Sequence, residues 1–227
     1  MLRTNFERGL QQLRDQILSL GSQVGDNIVT SIEVLFARDV NGAQHLIAGD
    51  IDVNQRRIKI MNDALTLIAT QQPMAGDMRL IASSIEISGE LERINDYVKG
   101  IARISLMIGP EPIPDVLDGL SQMAEKTKDM LRRALDAASR GDADLARAIP
   151  AEDDEVDALF NEIYRNLVAF VTENPSKIEM SNHLEWAVHN LERAADRVTN
   201  ICEWVVYMNT GEYIEMDSEL EAPPPQG

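Results

Sequence analysis

The stretch Leu191-Glu192-Arg193-Ala194-Ala195-Asp196-Arg197-Val198-Thr199-Asn200-Ile201-Cys202-Glu203 decides the fold. On a helix turning ~100° per residue, Glu192 and Asp196 stand one above the other. Asn200 and Glu203 extend that column, and Glu185 and His189 precede it. An apolar arc of Leu184, Val188, Leu191, Ala195, Val198, Cys202 and Val205 runs beside it. The spacing predicts a long helix with a packing face and a row of oxygen ligands along its border.

The central pattern occurs twice. Leu91, Glu92, Arg93, Asp96, Val98 and Ile101 match Leu191, Glu192, Arg193, Asp196, Val198 and Ile201, all offset by 100. Upstream, Asp39, Ala43, Asp50 and Val53 match Asp142, Ala146, Asp153 and Val156, all offset by 103. The change of three falls in a loop, where length is cheap, and a register held on both sides of a loop marks an internal repeat. The expected fold is all-α: two tandem, pseudo-symmetric three-helix bundles with six long helices. The expected domains are an N-terminal bundle over 1–109, a Pro-rich linker over 110–114, a C-terminal bundle over 115–210 and a tail over 211–227 that ends in a disordered Pro-rich stretch.

Composition agrees with that architecture and removes several functions. In 227 residues, hydrophobic content is 44% and aromatic content only 4%, the balance of helices packed by aliphatic side chains. A formal net charge of −17 argues against a nucleic-acid partner, since phosphate backbones need clustered Lys and Arg. The lone Cys202 excludes an intramolecular disulfide and suits a reducing compartment. Met1–Arg8 lacks the apolar core of a secretory signal, and no apolar run approaches the ~20 residues of a membrane span. Contact with a membrane is therefore expected only through partners.

In chain order, the first helix is expected from an N-cap at Asn5 to Ala37. Its apolar positions are Phe6, Leu10, Leu13, Ile17, Leu20, Val24, Ile28, Ile32 and Leu35. Gly21 and Gly25 within it point to close helix approach. The second helix is expected over 41–70, ended by Pro73, and the third over 74–108. Gly109-Pro110-Glu111-Pro112-Ile113-Pro114 is a stiff connector. The fourth helix is expected over 115–139, the fifth over 142–171 with a kink at Pro150, and the sixth from Pro175 to Tyr207.

The acids carry the chemistry. A single pair at i and i+4 repels slightly and usually marks a solvated face. Here the pair recurs at matched positions, and neighbouring helices add Asp50 with Asn54 and Asp153 with Asp157. If the second and third helices of each bundle lie side by side, their oxygens converge. Such a donor set, without thiolates, favours iron, manganese or magnesium over zinc. His189 reads as a surface histidine, because Gly89 holds its repeat position, and Cys202 as core filler. Arg93 and Arg193 read as intrahelical salt-bridge partners of the acids, and Trp186 and Trp204 as an interface patch. Phosphate-loop, dinucleotide, zincin and nucleophile-elbow motifs are absent, as is the Glu-x-x-His of di-iron bundles, so no enzyme is expected.

Gln71-Gln72-Pro73-Met74-Ala75-Gly76-Asp77-Met78-Arg79 closely resembles the Q-P-x-A-x-D-L-R signature of the PhoU family, with Met78 in place of the usual Leu. The Glu92/Asp96 and Glu192/Asp196 segments resemble that family's two E/D-x-x-x-D motifs, and the likeness runs over residues 1–210. The resemblance implies a cytoplasmic, often dimeric regulator that restrains phosphate uptake through the phosphate ABC transporter and its ATPase subunit. It also implies a membrane sensor histidine kinase held repressed when phosphate is plentiful, and iron or zinc bound at the E/D-x-x-x-D motifs. The metal-site residues are then Glu192, Asp196, Asn200, Glu203, Asp153, Asp157, Glu92, Asp96 and Asp50. Gln72, Asp77 and Arg79 are candidates for partner contact, although Pro73 and Asp77 also suit a plain helix start. The first repeat departs from the second: Gly100 and Arg103 stand where the second has Asn200 and Glu203, and Asn54 where it has Asp157. A tighter C-terminal site follows. The rival reading is a metal-dependent phosphohydrolase or redox bundle using the same carboxylates; a ligand-free scaffold is a third.

Overall fold

Apolar residues three and four apart along the first segment give a helix with one buried stripe. In the computed structural model Phe6, Leu10, Leu13, Ile17, Leu20, Val24, Ile28, Ile32 and Leu35 are all buried on α1, Leu2–Ala37. The model describes residues 2–216, with side chains from Thr4 onward; the Pro-rich end expected to be disordered lies outside them. Helices α2 (Val40–Gln71), α3 (Ala75–Ile108) and α4 (Leu120–Arg140) follow. Then come α5 (Ala143–Ala148), α6 (Asp153–Glu173) and α7 (Ile178–Thr210). No strand is present among the described residues.

The repeat is visible in the helix starts. Asp39 caps α2 by accepting from the Asn41 N–H at 3.0 Å, and Asp142 caps α5 by accepting from the Leu145 N–H at 2.9 Å. Several boundaries differ from expectation, and three of them have an identifiable local cause. Helix α1 is already formed at Leu2, so Asn5 is an interior residue; no Gly or Pro precedes it to stop the helix. Helix α4 begins at Leu120, because Pro114 and the left-handed Gly119 (φ 94°) hold the chain in turns. The fifth segment does more than kink: Pro150 opens a 3₁₀ turn, Pro150–Glu152, that separates α5 from α6. As a result Asp153 lies in the first turn of a new helix beside Asp154 and Glu155, where the helix dipole favours acids. Its repeat counterpart Asp50 lies inside α2.

The repeats are fused along their lengths. Helices α1, α3, α7 and α4 pack in a closed ring, with α2 laid on α1 and α3, and α6 laid on α4 and α7. One hydrophobic core runs through both repeats. Gly21 lets α1 and α4 approach: a Cβ there would fall 2.1 Å from Leu135 Cδ1. The α3–α7 contact is the most extensive of the helix pairs. It carries the pseudo-symmetry in side chains, since Glu90 meets Asn200 while the equivalent Asn190 lies against Gly100.

Candidate functional site

Each repeat places its acids between its outer helix and its last helix, but the two sets are wired differently. In the first, Asp50 is buried, and both of its oxygens are used. Asn95 Nδ2 donates to Oδ1 at 3.0 Å; Lys99 Nζ and Asn54 Nδ2 donate to Oδ2 at 2.6 and 3.2 Å. Lys99 Nζ also donates to Asp96 Oδ1 at 2.6 Å, bridging α2 and α3. Asn27 of α1 donates to Asn95 at 2.9 Å and extends the network into the ring. Burial works against the Lys99 ammonium, yet its bonds to Asp50 and Asp96 hold its pKa above the ordinary lysine value. Glu92 is pushed up by burial and by Asp96 and Asp50, opposed by Arg57 and Lys99.

The second repeat carries different residues at these positions. Thr199 stands at the Lys99 position, Ala195 at Asn95, Asp157 at Asn54 and Phe160 at Arg57. Asp153, Asp157 and Asp196 line an open cavity of about 650 Å³, walled also by Arg147, Pro150 and Met216. Burial raises the Glu192 pKa to about 7, reinforced by the charges of Asp196 and Asp157. Burial also raises Asp196, which Arg197, Arg193 and His189 pull back down. His189 is half-exposed, with Nδ1 3.2 Å from Glu192 Oε2 but not aligned as a hydrogen bond, and its ring tilts on Phe160.

The column expected from the sequence divides along α7. From Glu192 to Glu203 the helix rises ~16 Å, more than one ion spans. Only Glu192 and Asp196 reach the α6 acids. Asn200 Nδ2 donates to Glu90 Oε2 at 3.4 Å, within the α3–α7 contact. Glu203 is buried with both oxygens engaged: it accepts from the Tyr213 O–H at 2.9 Å and the Met216 N–H at 2.7 Å. Among the described residues no three His, Cys, Asp or Glu side chains are gathered closely enough to grip one ion. Asp153, Asp157 and Asp196 border one cavity without meeting at a point, and Glu192 is not among its lining residues. An all-oxygen set of this kind suits a hard cation that keeps several waters.

Sequence reasoning missed Lys99 and Glu90. Lys99 was legible, since a lysine three residues after Asp96 can fold back on it. Glu90 accepts from Arg93 at 2.6 Å, so Arg93 pairs within its helix but with Glu90; Arg193 instead donates to the Tyr97 hydroxyl of α3 at 3.2 Å. The segment after α7 was also missed. Tyr213 packs on Trp204 at 5.0 Å between ring centroids, and burial together with Glu203 pushes its phenol up to about 12. Tyr213→Phe is expected to lower stability by ~1 kcal/mol, measured by urea denaturation, because a buried carboxylate loses a donor.

The remaining expectations sort by exposure. Cys202 is buried in the core and Trp186 is 65% exposed. Gln72 is exposed, in left-handed backbone (φ 46°) between α2 and α3. Asp77 accepts from the Met74 N–H at 3.3 Å at the start of α3. Arg79 lies against Gly211, where α7 ends. No helix among the described residues is long and apolar enough to cross a membrane.

The PhoU domain model matches twice, over residues 17–105 and 120–205, one match on each repeat. This chain belongs to the PhoU family. It is 32% identical to the phosphate-specific transport system accessory protein PhoU homolog of Clostridium acetobutylicum, across 96% of this chain and 100% of that protein. The Rhizobium meliloti homolog is 32% identical over 91% of this chain and 87% of its own length. The crystal structure of PhoU from Pseudomonas aeruginosa superposes with a TM-score of 0.83 at 31% identity, covering 91% of this chain and 100% of that one. That of the phosphate transport system regulatory protein PhoU from Streptococcus pneumoniae gives 0.85 at 26%, covering 93% and 100%. The doubled three-helix PhoU architecture is therefore that of this chain.

Proposed function

We propose that this protein is a non-enzymatic accessory regulator of phosphate uptake. The observation that carries the proposal is the doubled PhoU domain over nearly the whole chain, shared with relatives named as phosphate-specific transport accessory proteins. In this reading it works in the cytoplasm, as a homodimer, by contact with the ATPase subunit of the phosphate ABC transporter and with a membrane sensor histidine kinase, and restrains both when phosphate is plentiful. A net charge of −17 suits a protein that docks on basic surfaces. Iron, manganese, magnesium or zinc bound by Asp153, Asp157, Glu192 and Asp196 would neutralise part of one acidic face and change its fit to a partner.

The test is the affinity of the purified chain for the transporter ATPase subunit, with and without chelator. Chelation, and separately Glu192→Gln/Asp196→Asn, is expected to change the Kd by roughly tenfold, about 1.4 kcal/mol. Binding unaltered by both would refute the metal's part in docking; absence of binding would refute the docking itself.

A further inference from the structure

We infer that Lys99 is the resident cation of the N-terminal repeat, standing where its acids would otherwise need a metal ion, so that metal binding is confined to the C-terminal repeat. The last clause rests on the metal reading of the C-terminal acids; the first does not.

The geometry of Asp50 carries the inference. Its carboxylate takes three side-chain donors, from Asn54, Asn95 and Lys99. The Lys99 side chain is only 18% exposed and Asp50 10%, so the pair is substantially shielded from water. The same ammonium reaches Asp96 Oδ1 at 2.6 Å, joining the acids of two helices as a bridging ion would. A divalent ion entering between Asp50 and Asp96 would have to displace Lys99 or sit against its charge, and Asp50 has no oxygen left without a donor. Arg57 adds a second positive charge beside Glu92.

Comparison of the repeats points the same way at four matched positions. Lys99, Asn95, Asn54 and Arg57 are Thr199, Ala195, Asp157 and Phe160 in the second repeat. Each change from second to first replaces an acid, a hydroxyl or an apolar group by a cation or an amide donor. The Thr199 hydroxyl, at the Lys99 position, carries no charge and is buried without a hydrogen-bond partner. A tethered ammonium is present whatever the supply of metal. The first repeat thus holds a fixed cation between Asp50 and Asp96, where the second has the uncharged Thr199.

Equilibrium dialysis of the full chain against Mn²⁺, with thermal melting in parallel, tests this. Mn²⁺ bound by the unaltered chain is expected to be lost in Glu192→Gln/Asp196→Asn and kept in Asp50→Asn/Asp96→Asn. Lys99→Thr is expected to melt ~2–4 °C lower in metal-free buffer, to recover on adding Mn²⁺, and to bind one further ion that Asp50→Asn removes. Should Lys99→Thr not fold without metal, Lys99→Thr/Asp50→Asn removes both charges, and its folding without metal is the supporting result; its failure to fold counts against the inference. Loss of Mn²⁺ from Asp50→Asn/Asp96→Asn overturns the inference. If the unaltered chain binds no Mn²⁺, the C-terminal metal reading fails, and Lys99 is judged by Lys99→Thr alone: Mn²⁺-dependent melting upholds it, and melting indifferent to Mn²⁺ overturns it.

Discussion

Glu90→Ala is expected to lower the stability of the protein by about 3 kcal/mol, which for a chain of this size is roughly 6–12 °C in Tm. Glu90 is 5% exposed on α3, inside the contact that joins the repeats. Its Oε1 accepts from Arg93 at 2.6 Å; its Oε2 lies 3.4 Å from the Asn200 amide and 3.7 Å from Arg197 of α7. Removing the carboxylate leaves Arg197, itself largely covered, without this countercharge and opens a gap in the joint. The cost stands at the low end for a broken buried pair because Arg93 is 58% exposed and can turn to water. Glu90→Gln keeps the shape and loses only the charge, so about half the effect is expected. Differential scanning calorimetry of the three proteins decides it; equal melting of Glu90→Ala and the unaltered chain would remove Glu90 from the joint.

The second large effect is a dependence on pH that runs opposite to ordinary acid denaturation. Glu192 has its pKa raised to about 7 in the folded state, by burial first and by Asp196 and Asp157 next. An unfolded glutamate titrates near 4.5. Between those values the folded chain holds the proton more firmly, so Glu192's contribution is complete below about 4.5 and is lost as pH rises through about 7. Asp196 and Glu92 are raised as well and act in the same direction. After discounting for the water that reaches the side chain, the metal-free protein is expected to lose about 2 kcal/mol from this source between pH 4.5 and pH 8. Glu192→Gln has no proton to lose, and in chelator at pH 8 it is expected to melt ~4–8 °C above the unaltered chain. A divalent cation favours the carboxylates, so it should stabilise the unaltered chain more at pH 8 than at pH 5. Identical Tm–pH profiles for the two proteins would refute the strain assigned to Glu192.

These expectations separate what the residues disclose locally from what only packing discloses. The long helices followed from apolar spacing, since burying one stripe leaves few alternatives for Leu13, Leu20 and Ile28. The repeat followed from the fixed offsets, and the matching caps Asp39 and Asp142 bear it out. The fusion of the repeats was not legible, because a Pro-rich connector says nothing of how its flanking bundles pack. The acid column misled for a geometric reason: angular alignment on a helix ignores rise, so Glu203 lies aligned with Glu192 yet ~16 Å away. It was also silent about the Gly211–Met216 segment, whose Tyr213 and Met216 take both oxygens of Glu203. The two repeats differ in the structure at more positions than the Asn200 and Glu203 equivalents. Lys99 pairs with Asp50 and Asp96 in the first, while Asn200 and Glu203 bond to Glu90 and to the Gly211–Met216 segment.

Restraint of phosphate uptake by this protein is measurable in cells. Uptake of radiolabelled phosphate would be measured in phosphate-replete cells lacking this protein, and in the same cells supplied with it again. Uptake is expected to rise several-fold in its absence and to return to the restrained rate when it is restored. Uptake that is the same with and without the protein would contradict it.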